Sequence, residues 1–596
     1  MTDPGVARRA IPVSDEWASG ADSYSKDYWD LVFEQLARRR LFKVGLAVLA
    51  LLYATAIYAP LIANDRPFVL EAIDYRSYKA ALRSLSPVSA SLAGLLERTP
   101  QEYAQSRRPD SPATLRDALE LERQAAAGRV QTLGTYLPAE SRAPLVELME
   151  LVDDALAARA AGEAEDAVRL GDEARERTRA LRTDLKPLDP LKPEQGGLAL
   201  VGAKSFPLLD AISHWEVFFM VLWAAVLTWP LWNRLINRRL LGGDRERIRR
   251  WRRRKLVGVL GLSALGATVW SATVGGQSAT FDVAPFKGAL TSGEIAPTSE
   301  PVFALLPFGY AETHLTENFR PPTWRRDARL DDDGHYVSGF RRPKADPVTG
   351  YVPPATPVEV RQAEPGVNSP WRHLAGTDEL GRDFFVRMIW GGRVSLAVGI
   401  LSAVLLTLIG VVVGSLAGYF GGWVDMLVMR VIEILQSIPA FFLILMTMAF
   451  TDPNVVPPII AIVVVIALIR WTGAARLVRG EFLRLREQEF VISSRALGFS
   501  SLRTIFRHIL PNAMSPVLVN AAFDVAAGIL IESAVSYLGF GIQHPGASWG
   551  SLVNESKSAD HWWIQVFPGV LIFLTVTCYN LVGDAVRDAL DPKMKV

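Results

Sequence analysis

The stretch "VSLAVGILSAVLLTLIGVVVGSLAG", residues 394–418, runs without a single charged residue. A helix climbs about 1.5 Å per residue, so a hydrocarbon layer about 30 Å thick takes ~20 apolar residues to cross. This run is long enough. Working outward from it, seven more stretches meet or approach that length: 43–63, 215–232, 256–275, 427–450, 455–473, 514–540 and 563–583. Pro, Gly or polar residues interrupt 455–473, 514–540 and 563–583, so their edges are soft. Half of the 596 residues are apolar (50%) and the formal net charge is only +2. The apolar residues are gathered into these runs rather than spread along the chain. The pattern predicts an α-class polytopic helical membrane protein with about eight transmembrane helices. The first run is too long for a signal-peptide core and reads as an anchoring span. The single cysteine, Cys578, excludes an intrachain disulfide.

Orientation follows from where the positive charge sits. Arg38, Arg39, Arg40 and Lys43 abut the first span, which predicts a cytoplasmic N-terminus. The stretch "RLINRRLLGGDRERIRRWRRRK", 234–255, carries eleven Arg and Lys against two acids. It reads as a cytoplasmic topology determinant touching anionic headgroups rather than as a nucleic-acid site. Parity then places 64–214, 277–393 and 541–562 outside, and 419–426, 474–513 and the C-terminus inside.

One inner segment is polar and basic although spans flank it: "EFVISSRALGFSSLRTIFRHILPN", 489–512. Its spacing predicts a helix over 480–497 with Phe482, Leu485, Glu489, Ile492 and Ala496 on one stripe. Gly498 would end that helix in a left-handed cap. Ser500 or Ser501 would cap a second helix running to Leu510 and closed by Pro511, with Leu502, Ile505, Phe506 and Ile509 on its apolar face. Such a knob needs a soluble partner or a lipid surface.

Gly498, Leu510 and Pro511 stand where the EAA loop of ABC-importer membrane subunits has its glycine and its Leu-Pro pair. Ile492, Ser493 and Ser494 replace the E-A-A triplet, with Glu489 one turn earlier, and His508 replaces an isoleucine. "GTDELGRDFFVRMIWGGRVSLAVG" (376–399) resembles the GTD-x-x-GRD signature of dipeptide and oligopeptide permeases. "MRVIEILQSIPAFFLIL" (429–445, with Glu433 at a usual aspartate), "RWTGAARLVRGE" (470–481), "ESAVSYLGFGIQHPGASWG" (532–550) and "PGVLIFLTVTCYNLVGDAVRDALDPK" (568–593) resemble its later spans. "APLIANDRP" (59–67) is similar to the YejE type. The chain thus resembles the permease C family of peptide-type ABC importers, closely over about 370–596.

The resemblance implies a six-helix type I importer core and no catalytic or metal-binding residue in this chain. It implies an ATPase-coupling loop of Glu489, Ser493, Ser494, Arg495, Ala496, Leu497, Gly498, Phe499, Ser500, Leu510 and Pro511. The entrance motif would be Gly376, Thr377, Asp378, Gly381, Arg382 and Asp383. Partners would be a second permease subunit in a heterodimer, two cytoplasmic ATPase domains carrying ATP and Mg, an extracytoplasmic substrate-binding protein and membrane lipid, in a bacterial inner membrane. No nucleic acid is implied.

From the residues alone, Thr377 or Asp378 caps an interfacial helix whose Phe384, Phe385, Met388 and Ile389 face lipid. Gly399, Gly410, Gly414 and Gly418 allow close helix packing, and Pro439 kinks its helix. Asp524 and Glu532 are intramembrane acids and hence candidates for the substrate pathway. Trp549, Trp562 and Trp563 read as interfacial anchors.

The expected organisation is a cytoplasmic amphipathic segment 1–42, a first span 43–63, an extracytoplasmic helical insertion 64–214, an extra hairpin 215–275, an extracytoplasmic cap 276–375 of irregular and β character, and a permease core 376–596 with its coupling loop at 480–511. In the insertion, Leu145, Leu148, Met149, Val152 and Leu156, then Ala167, Val168, Gly171, Ala174, Thr178, Leu181 and Leu185, recur at helical spacing, predicting three or four packed amphipathic helices. "RLDDDGHYV" (329–337) reads as a hairpin with a D-G turn, not a calcium loop. No P-loop is visible, so energy must come from another chain. A sensory receptor with a helical input domain, or an ABC exporter component, are the rival readings.

Overall fold

The computed structural model of the chain describes residues 28–107, 111–187, 197–239, 245–274, 286–291, 294–299, 301–313, 318–319, 321–322, four two-residue strands between 329 and 357, and 373–452, 455–542 and 546–590. Residues 1–27, most of the expected N-terminal segment, lie outside them. Helices dominate. Among the described residues, six are long and apolar enough to cross a membrane: Arg40–Ile57, Arg253–Thr273, Phe384–Phe420, Pro458–Leu485, Ser501–Tyr537 and Ala559–Leu590. The other two expected spans are bent pairs, His214–Leu227 with Trp229–Arg239 (65°) and Gly422–Ser437 with Ala440–Ala449 (78°). Prolines account for both breaks. Ile438 precedes Pro439 and is extended (ψ 131°), because the proline ring excludes a helical conformation there. Pro230 is the second residue of its helix, a position that suits the start of a helix and not its interior.

The chain divides into two compact units. The first comprises residues 1–51, 398–531 and 572–596. Here helix 384–420 presents Gly410, Gly414 and Gly418 to helix 458–485 without an intervening side chain. A Cβ on Gly414 would lie 2.4 Å from the Ala475 carbonyl oxygen, and one on Gly418 would lie 2.5 Å from the Phe482 Cβ. Gly399 meets Ile529 in the same way, at 2.4 Å. These glycines were expected to bring helices close, and they do. Helix Tyr28–Arg38 packs Val32 and Leu36 on Ala585, Ala589 and Leu590, and Arg39 pairs with Asp588 at 2.5 Å.

The second unit comprises residues 52–397 and 532–571. Helices Tyr75–Leu96, Leu115–Tyr136, Ala143–Ala161 and Ala164–Asp184 pack together, with the short Pro100–Ser106 between the first two. Their core holds Leu145, Leu148, Val152, Ala167, Ala174, Leu181 and Leu185, as the periodicity requires, while Met149 and Leu156 are half-buried. Thr99 and Glu102 form a reciprocal capping box, and Gly162 ends helix 143–161 in the left-handed region (φ 89°).

Beneath this bundle lies a sheet that periodicity did not reveal. Strand Leu70–Asp74 pairs antiparallel with Ala203–Ser205 on one side and Ile295–Pro297 on the other. Strands this short leave no alternation to read. The hairpin expected at 329–337 pairs Arg329 with Val337 and Leu330 with Tyr336; its turn lies outside the described residues.

Candidate functional site

Helix 458–485 does not run on to 497. It stops at Leu485, the chain turns, and a separate helix, Glu489–Ala496, follows. Gly498 is left-handed (φ 77°), as its place after a helix end predicts. Ser500 caps the next helix by accepting the Arg503 N–H at 3.4 Å. That helix does not close at Pro511 but continues to Tyr537. Residues 504–509 are wound as a π turn, in which the Leu510 N–H reaches the Ile505 carbonyl. Pro511 has no N–H to donate, and a wider turn just before it relieves the ring's contact with the preceding carbonyls.

The faces of this knob also differ from the expected stripes. Val491, Ser494, Thr504, Ile505 and Ile509 are buried; Val491, Ile505 and Ile509 join Val478, Phe482, Leu485, Ala513 and Val517 in one core. Ile492 (53% exposed), Leu497 (73%), Leu502 (64%) and Phe506 (58%) point outward with Phe490. Glu489, Ser493, Arg495, Ala496, Ser500 and Pro511 are exposed, and Phe499 and Leu510 are half-buried. Two arginines are parked on rings: Arg495 lies 4.9 Å from the Tyr419 ring centre and Arg503 4.1 Å from that of Phe499. Phe499 in turn stacks on His508 at 5.7 Å.

The knob's root is tied as well. Arg479 forks onto Asp425, with one of its two contacts at 2.6 Å, and Arg486 donates to the Gly418 carbonyl at 3.3 Å. These bonds flank the turn at 421–422, where Gly421 and Gly422 are left-handed (φ 65° and 55°).

The expected entrance motif, residues 376–383, folds into a buried ionic cluster. Gly376 (φ 78°) and Gly381 (φ 69°) allow the chain to turn back on itself, so that Thr377 bridges to Asp383. Asp378 is no helix cap. Its Oδ1 accepts the N–H groups of Leu380 (2.9 Å) and Arg382 (3.0 Å), and its Oδ2 accepts from Arg382 Nε (2.6 Å) and Arg387 Nη1 (2.5 Å). Asp383 is the cap: its Oδ1 accepts the Val386 N–H at 2.8 Å, and its Oδ2 is 2.8 Å from His373 Nδ1.

Arg387 also pairs with Glu555, and Arg382 lies 3.7 Å from that carboxylate. Of the four residues expected to face lipid, Phe384 and Met388 are buried inside the protein, while Phe385 and Ile389 are half-buried. Trp549 and Trp563 are likewise buried, donating to the carbonyls of Met388 (3.0 Å) and Thr377 (3.2 Å), whereas Trp562 is half-buried.

Sequence reasoning missed His373, Arg387 and Glu555. An arginine three residues into an apolar helix signals a counter-ion nearby, which could have flagged Arg387. No local pattern marks Glu555.

Three ring pairs join 308–319 to residues around this motif: Phe308 with His373 (4.9 Å), Tyr310 with Trp390 (4.6 Å) and Phe319 with His561 (3.8 Å). Phe319 is left-handed (φ 51°), and its N–H bonds the Asp378 carbonyl at 2.8 Å.

Of the two acids expected within the membrane, Glu532 is fully buried and accepts hydroxyls from Ser395 (2.8 Å) and Ser536 (2.7 Å). Ser395 also accepts the Trp549 N–H at 3.1 Å. Asp524 is half-buried and accepts from Asn520 at 2.6 Å.

Residues 410–596 match the family described as binding-protein-dependent transport system inner membrane component. Residues 27–87 match the N-terminal transmembrane domain of oligopeptide transport permease C. The dipeptide transport system permease protein DppC of Bacillus subtilis is 41% identical over 226 residues, 37% of this chain and 69% of that protein. A putative peptide transport system permease protein of Brucella suis is 41% identical over 251 residues, 42% of this chain and 82% of its own length. The oligopeptide transport system permease protein OppC of Bacillus subtilis is 40% identical over 225 residues, 37% and 72% of the two chains.

Proposed function

The chain belongs to the binding-protein-dependent inner-membrane transport components, in the peptide permease C group, and from that premise we propose that it is the translocation subunit of an ATP-driven importer of oligopeptides or related small solutes. The observation that carries the coupling part of this reading is the two-sided knob at 489–510. Its inner face is built into the ends of two membrane helices, and its outer face leaves Ile492, Leu497, Leu502 and Phe506 in the open. Apolar side chains exposed together beside ordered arginines suit a groove on a soluble partner.

In this reading the partners are two cytoplasmic ATPase domains, which bind ATP and Mg. Their groove has an apolar floor and an acidic rim to receive Arg495, Arg503 and Arg507. ATP binding closes the ATPases and displaces the knob. Because the knob is continuous with helix 501–537 and tied through Arg479 to Asp425, that displacement reaches the membrane helices as a shift between two states. A second, related permease completes the pathway, and an outer binding protein delivers the solute. Both termini and the knob lie on the cytoplasmic side, with the 64–214 and 276–375 insertions outside. Asp524 and Glu532 are the candidates for the substrate pathway. The chain carries out no covalent chemistry.

Co-purification from membranes tests the assembly: an ATPase and a second permease are expected with the chain. Gly498→Arg tests the knob. A bulky residue at φ 77° is strained, and an added cation disturbs the docking face. The variant should insert normally and lose substrate-stimulated ATPase activity in the reconstituted complex. Normal stimulation would remove the role assigned to the knob.

A further inference from the structure

The extra hairpin contains a short helix, Trp229–Arg239, set at an angle to the helix before it. Helix 214–227 has 14 residues and so rises about 21 Å. At its end the chain bends by 65° into Trp229–Arg239, an 11-residue helix without a single acid. Trp229 and Trp232 pack edge-to-face at the bend (4.4 Å), and Trp232 bonds back to the Ala225 carbonyl at 2.8 Å. Tryptophans in that position mark the level of the headgroups.

The rotation of helix 229–239 is fixed by one clamp. Lys255 of the neighbouring helix 245–273 is buried and donates to Asn233 Oδ1 at 2.8 Å and to Asn237 Oδ1. Asn233 and Asn237 are one turn apart, so a single face is turned to Lys255. The opposite face carries Leu231 (72% exposed) and Leu235 (53%), bordered by Arg234 and Arg238 on one side and Arg239 on the other. Arg253 and Arg254 of helix 245–273 are exposed too, and Arg254 lies 5.3 Å from the Trp251 ring centre.

We propose that helix 229–239 lies along the membrane–water interface and that Arg234, Arg238 and Arg239 hold the phosphodiesters of anionic phospholipids, with Leu231 and Leu235 seated at the acyl boundary. The choice of occupant follows from the mixed face. A nucleic acid or free phosphate would satisfy the arginines and leave the leucines in water. An anionic lipid surface supplies both environments in one plane. The site lies between the two family-matched ranges, so it is a lipid contact of this chain's own insertion.

Native mass spectrometry of the full-length protein released from nanodiscs containing equal phosphatidylglycerol and phosphatidylcholine tests the site. The wild type should retain phosphatidylglycerol preferentially, and R234Q/R238Q/R239Q should lower that retention about a hundredfold, the scale of three charge contacts near a membrane surface. R169Q/R179Q/R182Q, which removes equal charge from the bundle, should leave it unchanged. R234K/R238K/R239K keeps the charge and should keep most of the preference, which separates lipid contact from faulty insertion of the glutamine variant. Absence of a preference in the wild type overturns the proposal. So does equal retention by the glutamine and lysine variants, or displacement of the lipid by millimolar inorganic phosphate or a short RNA.

Discussion

Leu148 in the inserted bundle and Gly414 in helix 384–420 both sit in the middle of a helix–helix contact, and they fill it in opposite ways. Leu148 is 1% exposed and packs in a core of leucines, alanines and tyrosines, while arginines and acids cover the outside. Gly414 contributes no side chain, so the Ala475 backbone comes against it, and the outward residues of the same helix, Leu401, Val404, Leu408 and Val412, are apolar and exposed. In water, apolar side chains drive helices together. In lipid that drive is absent, and close backbone approach takes its place. One chain applies both rules.

The largest effect should come from breaking the close approach. Gly414→Leu places a side chain where a Cβ alone is 2.4 Å from a carbonyl oxygen. The helices must part, at a cost above ~4 kcal/mol, the range reserved for gross core disruption. Little folded protein should then survive a thermal ramp in detergent. Arg387→Leu comes next. It leaves the buried Asp378 and Glu555 carboxylates to Arg382, which sits 2.6 Å from the first and 3.7 Å from the second. That loss should destabilise by about 3 kcal/mol and lower the thermal midpoint of the purified chain.

Leu148→Ala removes aliphatic volume from the bundle and should cost about 2–4 kcal/mol. Hydrogen exchange should rise across 75–184 while the 458–537 helices keep their protection. Equal exchange in both regions would show that the bundle is no separate cooperative unit. Arg169→Gln breaks an ion pair whose partners are 67% and 56% exposed. Screened by solvent, it should change stability by less than ~0.5 kcal/mol, visible as an unchanged midpoint.

The same contrast explains what was legible in the sequence. Bundle residues such as Leu145 and Leu181 announce themselves because water enforces a 3.6-residue alternation of apolar and polar positions. The uncharged runs announce the spans just as plainly. Within the spans the two faces are equally apolar, so pattern cannot say that Phe384 and Met388 point inward. The knob was half legible: Gly498 and Ser500 carry local rules for ending and starting helices. The outward turn of Ile492 and Phe506 depends on where the helix restarts after Leu485, which no local rule gives. The Asp378–Arg387–Glu555 cluster joins residues 177 apart in sequence at its extremes, Asp378 and Glu555, and only the tertiary fold brings them together.

The small sheet beneath the bundle settles how such a chain could be built. Leu70 faces Ser205 and Ala72 faces Ala203 across an antiparallel pair, so the polypeptide leaves for the bundle and returns from it at neighbouring points about 5 Å apart. A turn of a few residues could join Asp74 to Ala203 with the rest of the path unaltered. A bundle entered and left at one edge of a sheet is one that a transporter ancestor could gain, exchange or lose without re-routing a membrane helix.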